Sequence, residues 1–391
     1  HLALAIFVSP AIFDAAFDTS RHQLRKNWLP LFSLVVCAVL LTTAAVAYVG
    51  VAFAGLPLAA AIALGAIVAP PDAAAVKEVT REAKLPQNTA VVLQGESLLN
   101  DAVAIMIYGV AVDIATQGDS ISQALPRYLF SFPGALIFGW VVARGYMLVR
   151  PIVTKSLSAI LLEFGSVFAV WIAAEHLHLS SILAVVVYAF TIAKYVPEKQ
   201  GARDRIYSYS VWEAVVFLLN VSAFLILGLH AKSLLERIRG DELVRGLEFA
   251  GIVLLTVIVV RVVWVLAFTK FERMTIGGPS KRISFVVSWC GVRGLVTLAT
   301  AFALPGNFPQ RDLLALTAFT VVLGTMIIQG TTLIPLIKFL KLEEEHDPSE
   351  SELRRARIAL LNIGLDSLAD MRRPEAEYVY KEIALKRDLQ R

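Results

Sequence analysis

The chain has 391 residues, of which 57% are hydrophobic and only 17% charged, and its mean hydropathy is +0.68. A soluble globular domain typically carries about 25% charged residues, so this composition excludes an ordinary soluble protein and points to a polytopic membrane protein. The net charge of +4 is no argument for nucleic acid, because the basic residues sit in short loops between apolar stretches.

Taken in order, apolar stretches near twenty residues recur up to residue 340, each long enough to cross a hydrocarbon core of about 30 Å as a helix. Alternating ten-residue segments, the mark of a barrel, are missing. The first span runs to about Phe17 and carries Pro10 and Asp14. It opens at His1 without a basic leader, which predicts that the chain begins inside a span and that sequence is missing upstream. A second span covers 28–50. The third, 56–76, is interrupted by Ala69-Pro70-Pro71-Asp72, where two prolines remove two amide donors and break the helix. Further spans are predicted over 89–115, 127–149, 157–177, 181–195, 207–230, 243–268, 283–304 and 313–340. Together they make about eleven. The tenth contains Trp289-Cys290-Gly291-Val292-Arg293-Gly294, where two glycines flank a charge inside an apolar run, and this reads as a second broken helix. The only cysteines, Cys37 and Cys290, lie inside apolar stretches, so neither a disulfide framework nor a thiolate metal site is expected.

Alternate loops carry unequal charge. Those after spans one, three, five, seven and nine hold Arg21, Arg25 and Lys26, then Lys77, Arg81 and Lys84, and so on through Lys281 and Arg282. The opposite loops are poorer. The positive-inside rule therefore places the richer set, and the segment after residue 340, in the cytoplasm. From Glu343 the composition turns polar, with Ser349 and Glu352 spaced as a capping box and Leu353, Ala356, Leu360 and Ile363 at helical spacing. The domains are thus 1–340, embedded in the membrane, and 341–391, a small helical tail that is either solvated or regulatory.

The polar core of the chain is Gln94-Gly95-Glu96-Ser97-Leu98-Leu99-Asn100-Asp101. Glu96 and Asn100 fall on one helical stripe and Ser97 and Asp101 on the next, so the four oxygen-bearing side chains form one predicted wedge that cannot face lipid. A carboxylate at membrane depth costs at least about 2.5 to 3.5 kcal/mol and reads first as an ion or proton site. A polar contact that merely joins two helices is the alternative. Hard oxygen donors without thiols or imidazoles suit an alkali cation. Arg261 lies in the apolar run Val257 to Trp264, and a buried charge there needs an acid such as Glu96. Arg293 reads equally as a functional charge at the second break or as a purely structural pairing. Glu163 suits a helix contact, Glu213 a helix contact or a proton path, and Asp14 and His178 are assigned no specific role. Broken helices at corresponding places in two halves are the pointer to inverted-repeat transporters.

Gly95-Glu96-Ser97-Leu98-Leu99-Asn100-Asp101-Ala102, together with Ala69-Pro70-Pro71-Asp72-Ala73-Ala74-Ala75-Val76 and Gly291-Val292-Arg293-Gly294, resembles the sodium/proton antiporters of the first cation/proton antiporter family. The likeness spans almost all of residues 1–340. It implies an all-α, inverted-repeat antiporter fold with two discontinuous crossing helices, some opening helices lying upstream of His1, and a homodimer with its N-terminal helices at the interface. It implies that Asp101 alternately holds a cation or a proton, with Asn100 beside it, Ser97 as a side-chain ligand and Asp72 as the broken-helix acid. It also implies that Glu96, together with Asn100, is held by a membrane-embedded arginine, which helix order assigns to Arg261. One departure stands out, since the family commonly has threonine where this chain has Pro71, leaving only the Pro71 carbonyl as a possible ligand there.

The expected function is exchange of sodium, or lithium or potassium, for protons across the cell membrane by alternating access, without net charge movement, covalent chemistry or cofactor. A cation channel would call for a selectivity filter or charged rings. A non-transporting sensor that keeps the antiporter core is the other rival, and proton flux in vesicles separates the three. No phosphate-binding loop occurs, and no nucleic-acid partner is expected.

Overall fold

A computed structural model describes residues 4–72, 87–118, 120–153, 156–199, 202–237, 240–275, 280–340, 355–356 and 358–363. Among these residues all regular structure is helical. After a π-turn at Leu4–Val8, α1 is Ser9–Asp18. Then follow α2 (Trp28–Ala54), α3 (Leu58–Val68), α4 (Gln87–Gln117), α5 (Ile121–Val149), α6 (Ser156–His176) and α7 (Ser181–Lys199). The remainder are α8 (Ala202–Arg237), α9 (Asp241–Thr275), α10 (Lys281–Trp289), α11 (Leu295–Phe302) and α12 (Arg311–Phe339). Seven described helices are long and apolar enough to cross a membrane on their own. The protein is an integral membrane protein.

Both predicted breaks are present. The first lies at 69–72, after α3, where Pro70 and Pro71 end the ladder. The half-helix expected after it falls outside the described residues, as do Ser349, Glu352 and Leu353 of the tail. The second break separates α10 from α11 over Cys290–Gly294.

The apolar side chains divide into two main clusters. One gathers Phe13 of α1 with Ala135, Tyr146, Trp171, Tyr188 and Trp212, so it joins α1 and α5–α8. The other gathers Val46, Leu64, Ala111, Val253, Leu304 and Leu314, uniting α2–α4 with α9 and α12. In the second body the order is continuous, broken, continuous, given twice: α2, α3 and its break, α4, and then α9, α10 with α11, α12. The two triplets start an odd number of crossings apart, so they traverse the membrane in opposite senses. That is the inverted repeat.

Candidate functional site

The two breaks cross in contact. The Asp72 N–H donates to the Val292 carbonyl at 2.8 Å, and the Leu295 N–H, at the start of α11, donates to Asp72 Oδ2 at 3.1 Å. A carboxylate at a helix N-terminus answers both an orphan amide and the positive end of the helix. Arg293 works in the reverse direction. Its Nε donates to the Val68 carbonyl at 2.9 Å and its Nη2 to the Ala69 carbonyl at 3.1 Å, while Nη1 donates to the Gly291 carbonyl. A fully buried guanidinium thus satisfies the C-terminal carbonyls of α3, and its pairing is with backbone.

Two glycines make the crossing possible. A Cβ at Gly291 would lie 2.7 Å from Arg261 Cδ and 2.8 Å from Arg293 Nη1, and a Cβ at Gly294 would fall on the Asp72 carboxylate. Gly294→Ala is therefore expected to evict Asp72 from its place on α11 and remove transport, whereas Gly251→Ala, with open space around it, should leave transport unchanged. Solute-driven proton flux in vesicles, normalised to the amount of inserted protein, checks both.

On α4 the predicted polar wedge is split. Ser97 and Asp101 face a cavity of about 360 Å³, together with Pro71 and Asp72. The Ser97 hydroxyl donates to the Pro71 carbonyl at 3.0 Å, leaving the serine lone pairs available. Glu96 and Asn100 are not part of the cavity wall. Glu96 meets Arg261 in a bidentate pair, with Nη1 to Oε1 at 2.5 Å and Nη2 to Oε2 at 2.9 Å, both side chains being at most 3% exposed. Arg261 Nη2 also reaches the carbonyls of Val287 and Cys290, at 3.3 and 3.0 Å. The expected inclusion of Asn100 in this pair is corrected. Asn100 is fully buried and neither of its amide atoms has a hydrogen-bond partner, while the two Nη groups of Arg261 go to Glu96 and to two backbone carbonyls.

The far wall of the cavity comes from α1 and α8. Asp14, Asp18 and Glu213 line it, together with Phe217 and Asn220. Asp14, to which the sequence assigned no specific role, is thus placed on the cavity wall. Val8, Ala11, Asp14 and Asp18 recur at helical spacing and share the cavity face; that periodicity was the available signal. Thr297 of α11 lines the cavity as well. Glu163 lies apart from it, buried in the first body, where its carboxylate faces Arg150, Trp212 and Ser208.

The family profile for the transmembrane part of sodium/hydrogen exchangers matches residues 1–339. The chain belongs to the sodium/hydrogen exchanger family. An uncharacterized Na(+)/H(+) exchanger of Mycobacterium tuberculosis is 29% identical to this exchanger-family chain over 385 residues, covering 94% of it and 70% of the relative. A sodium, potassium, lithium and rubidium/H(+) antiporter of Bacillus subtilis is also 29% identical, over 86% of this chain and 54% of its own length. In fold, the chain is similar to the sodium proton antiporter MjNhaP1 of Methanocaldococcus jannaschii, with a TM-score of 0.71 at 19% identity, covering 88% of this chain and 85% of the other.

Proposed function

We propose that this chain exchanges sodium, and by likeness to its Bacillus relative also lithium or potassium, for protons by alternating access, with Asp101 as the group that holds either the cation or the proton. The observation that carries the reading is the cavity wall, where two acids, Asp72 and Asp101, and the Ser97 hydroxyl converge on one space at the crossing of two broken helices. Alkali cations bind oxygen ligands, and a carboxylate that is neutralised by either sodium or a proton holds one and excludes the other. With the richer basic loops in the cytoplasm, Asp18, Gln94 and Glu213 stand at the cytoplasmic end of the cavity. The same orientation puts residues 341–391 in the cytoplasm as a tail separate from the transport domain of 1–340. A homodimer in the cell membrane is the assembly that the family resemblance supports.

Exchange should be electroneutral. Glu96 is locked against Arg261, and Asn100 cannot titrate, so if Asp72 keeps one charge throughout, Asp101 alone trades one proton for one monovalent cation. Moving a net charge would be worth about 2.3 kcal/mol per 100 mV. In proteoliposomes, a sodium gradient should drive proton movement whose rate does not respond to an imposed membrane potential. No sodium-driven proton movement would refute exchange; a reversal point displaced by voltage would show that a second group titrates. A sodium current without proton coupling would mark a channel.

A further inference from the structure

We propose that the Thr297 hydroxyl is a ligand of the transported cation, supplied by the second broken helix to the site built from Asp72, Ser97 and Asp101. The inference deepens the exchange reading above and rests on it. Thr297 is 1% exposed and lines the same cavity as the two acids. Among the described residues its hydroxyl has no hydrogen-bond partner, which sets it apart from its neighbours. Thr300, Thr317, Thr320 and Thr325 each donate to the carbonyl four residues back, at 2.8 to 2.9 Å.

The reason lies in the break. The carbonyl four residues before Thr297 belongs to Arg293, which is outside the helix, so the usual intrahelical acceptor is out of place and the hydroxyl is left turned to the cavity. The hydroxyl is not among the buried side-chain atoms sealed off without a partner, so what fills the cavity answers it. Here the neighbours decide what that occupant is. Leu295, two residues earlier, holds the Asp72 carboxylate through its N–H, so Thr297 sits on the first turn of the helix that positions one of the two acids. Among the described residues, the cavity wall that holds these groups contains five carboxylates, from Asp14, Asp18, Asp72, Asp101 and Glu213, and no Lys or Arg. A hydroxyl oxygen in such a wall meets a cation, through a lone pair, rather than an anion.

The test compares Thr297→Val, which keeps the shape and removes the oxygen, with Thr297→Ser, which keeps the oxygen. In proteoliposomes Thr297→Val is expected to raise the KM for sodium about tenfold, the effect of about 1.4 kcal/mol of lost binding, while the rate at saturating sodium stays within about twofold. Thr297→Ser should retain the wild-type KM. A second readout is independent of turnover: the sodium concentration that half-maximally raises the melting temperature of the detergent-solubilised protein should shift upward by the same factor in Thr297→Val. Should the valine variant not insert, Thr297→Ala removes the oxygen with a smaller side chain and is read in the same way. An unchanged sodium KM in the oxygen-free variant, or a fall in rate alone, overturns the ligand and leaves exchange standing. Wild-type protein that shows neither exchange nor a sodium-dependent melting shift overturns the exchange reading itself.

Discussion

Asp101→Asn abolishes sodium-driven proton movement, with a residual rate at the background of empty liposomes, while the protein still inserts and melts close to the wild-type temperature. The amide has nearly the shape of the carboxyl group, and among the described residues Asp101 has no ion pair that the change would break. What is lost is the ability to carry a proton on one half of the cycle and to neutralise a cation on the other. The site would then be occupied by a permanently neutral group, and neither substrate could displace the other. Proton flux at several sodium concentrations, with inserted protein quantified in the same vesicles, is the measurement. Wild-type rates in correctly inserted protein would remove Asp101 from the centre of the mechanism.

Arg261→Ala is expected to lower both stability and activity, by a different route. Its guanidinium and the Glu96 carboxylate are at most 3% exposed, and removing one partner of a buried pair leaves the other uncompensated, at a cost of about 3 to 5 kcal/mol. Glu96→Gln alone should cost less, because a neutral amide can still accept from the arginine. The double variant should recover part of the loss, since it leaves no buried charge without an opposite. Melting in detergent of the wild type, both single variants and the double gives the coupling directly. Simple additivity would mean that the two side chains do not stabilise one another.

Much of the architecture was legible because its causes are local. Two adjacent prolines break a helix wherever they stand, and two glycines beside a charge in an apolar run mark a second break. Pairing Glu96 with Arg261 across 165 positions followed from helix order together with the cost of an unpaired buried charge. The errors came from what periodicity leaves open. It set the Glu96/Asn100 and Ser97/Asp101 stripes side by side, yet could not tell that one turns to the cavity and the other into the protein, since that depends on which helices pack on each. The partners of Arg293 were hidden for a related reason: they are backbone carbonyls, which have no signature in the side-chain sequence. Thr297 looked like any membrane-helix threonine, and only the position of the break relative to its back-bonding carbonyl makes it different.

The tie from Arg293 to Val68 spans 225 residues, and it has a consequence for biosynthesis. At about 5–20 residues per second, α3 enters the membrane roughly ten to forty-five seconds before its carbonyl partner has been translated. During that interval the end of the half-helix holds open acceptors in a medium that cannot solvate them. Neither inverted repeat can therefore reach its mature state first; each is a folding template that the other completes. Premature termination anywhere between the two breaks leaves a membrane intermediate with an unsealed helix end, the kind of lesion that a membrane protease can recognise.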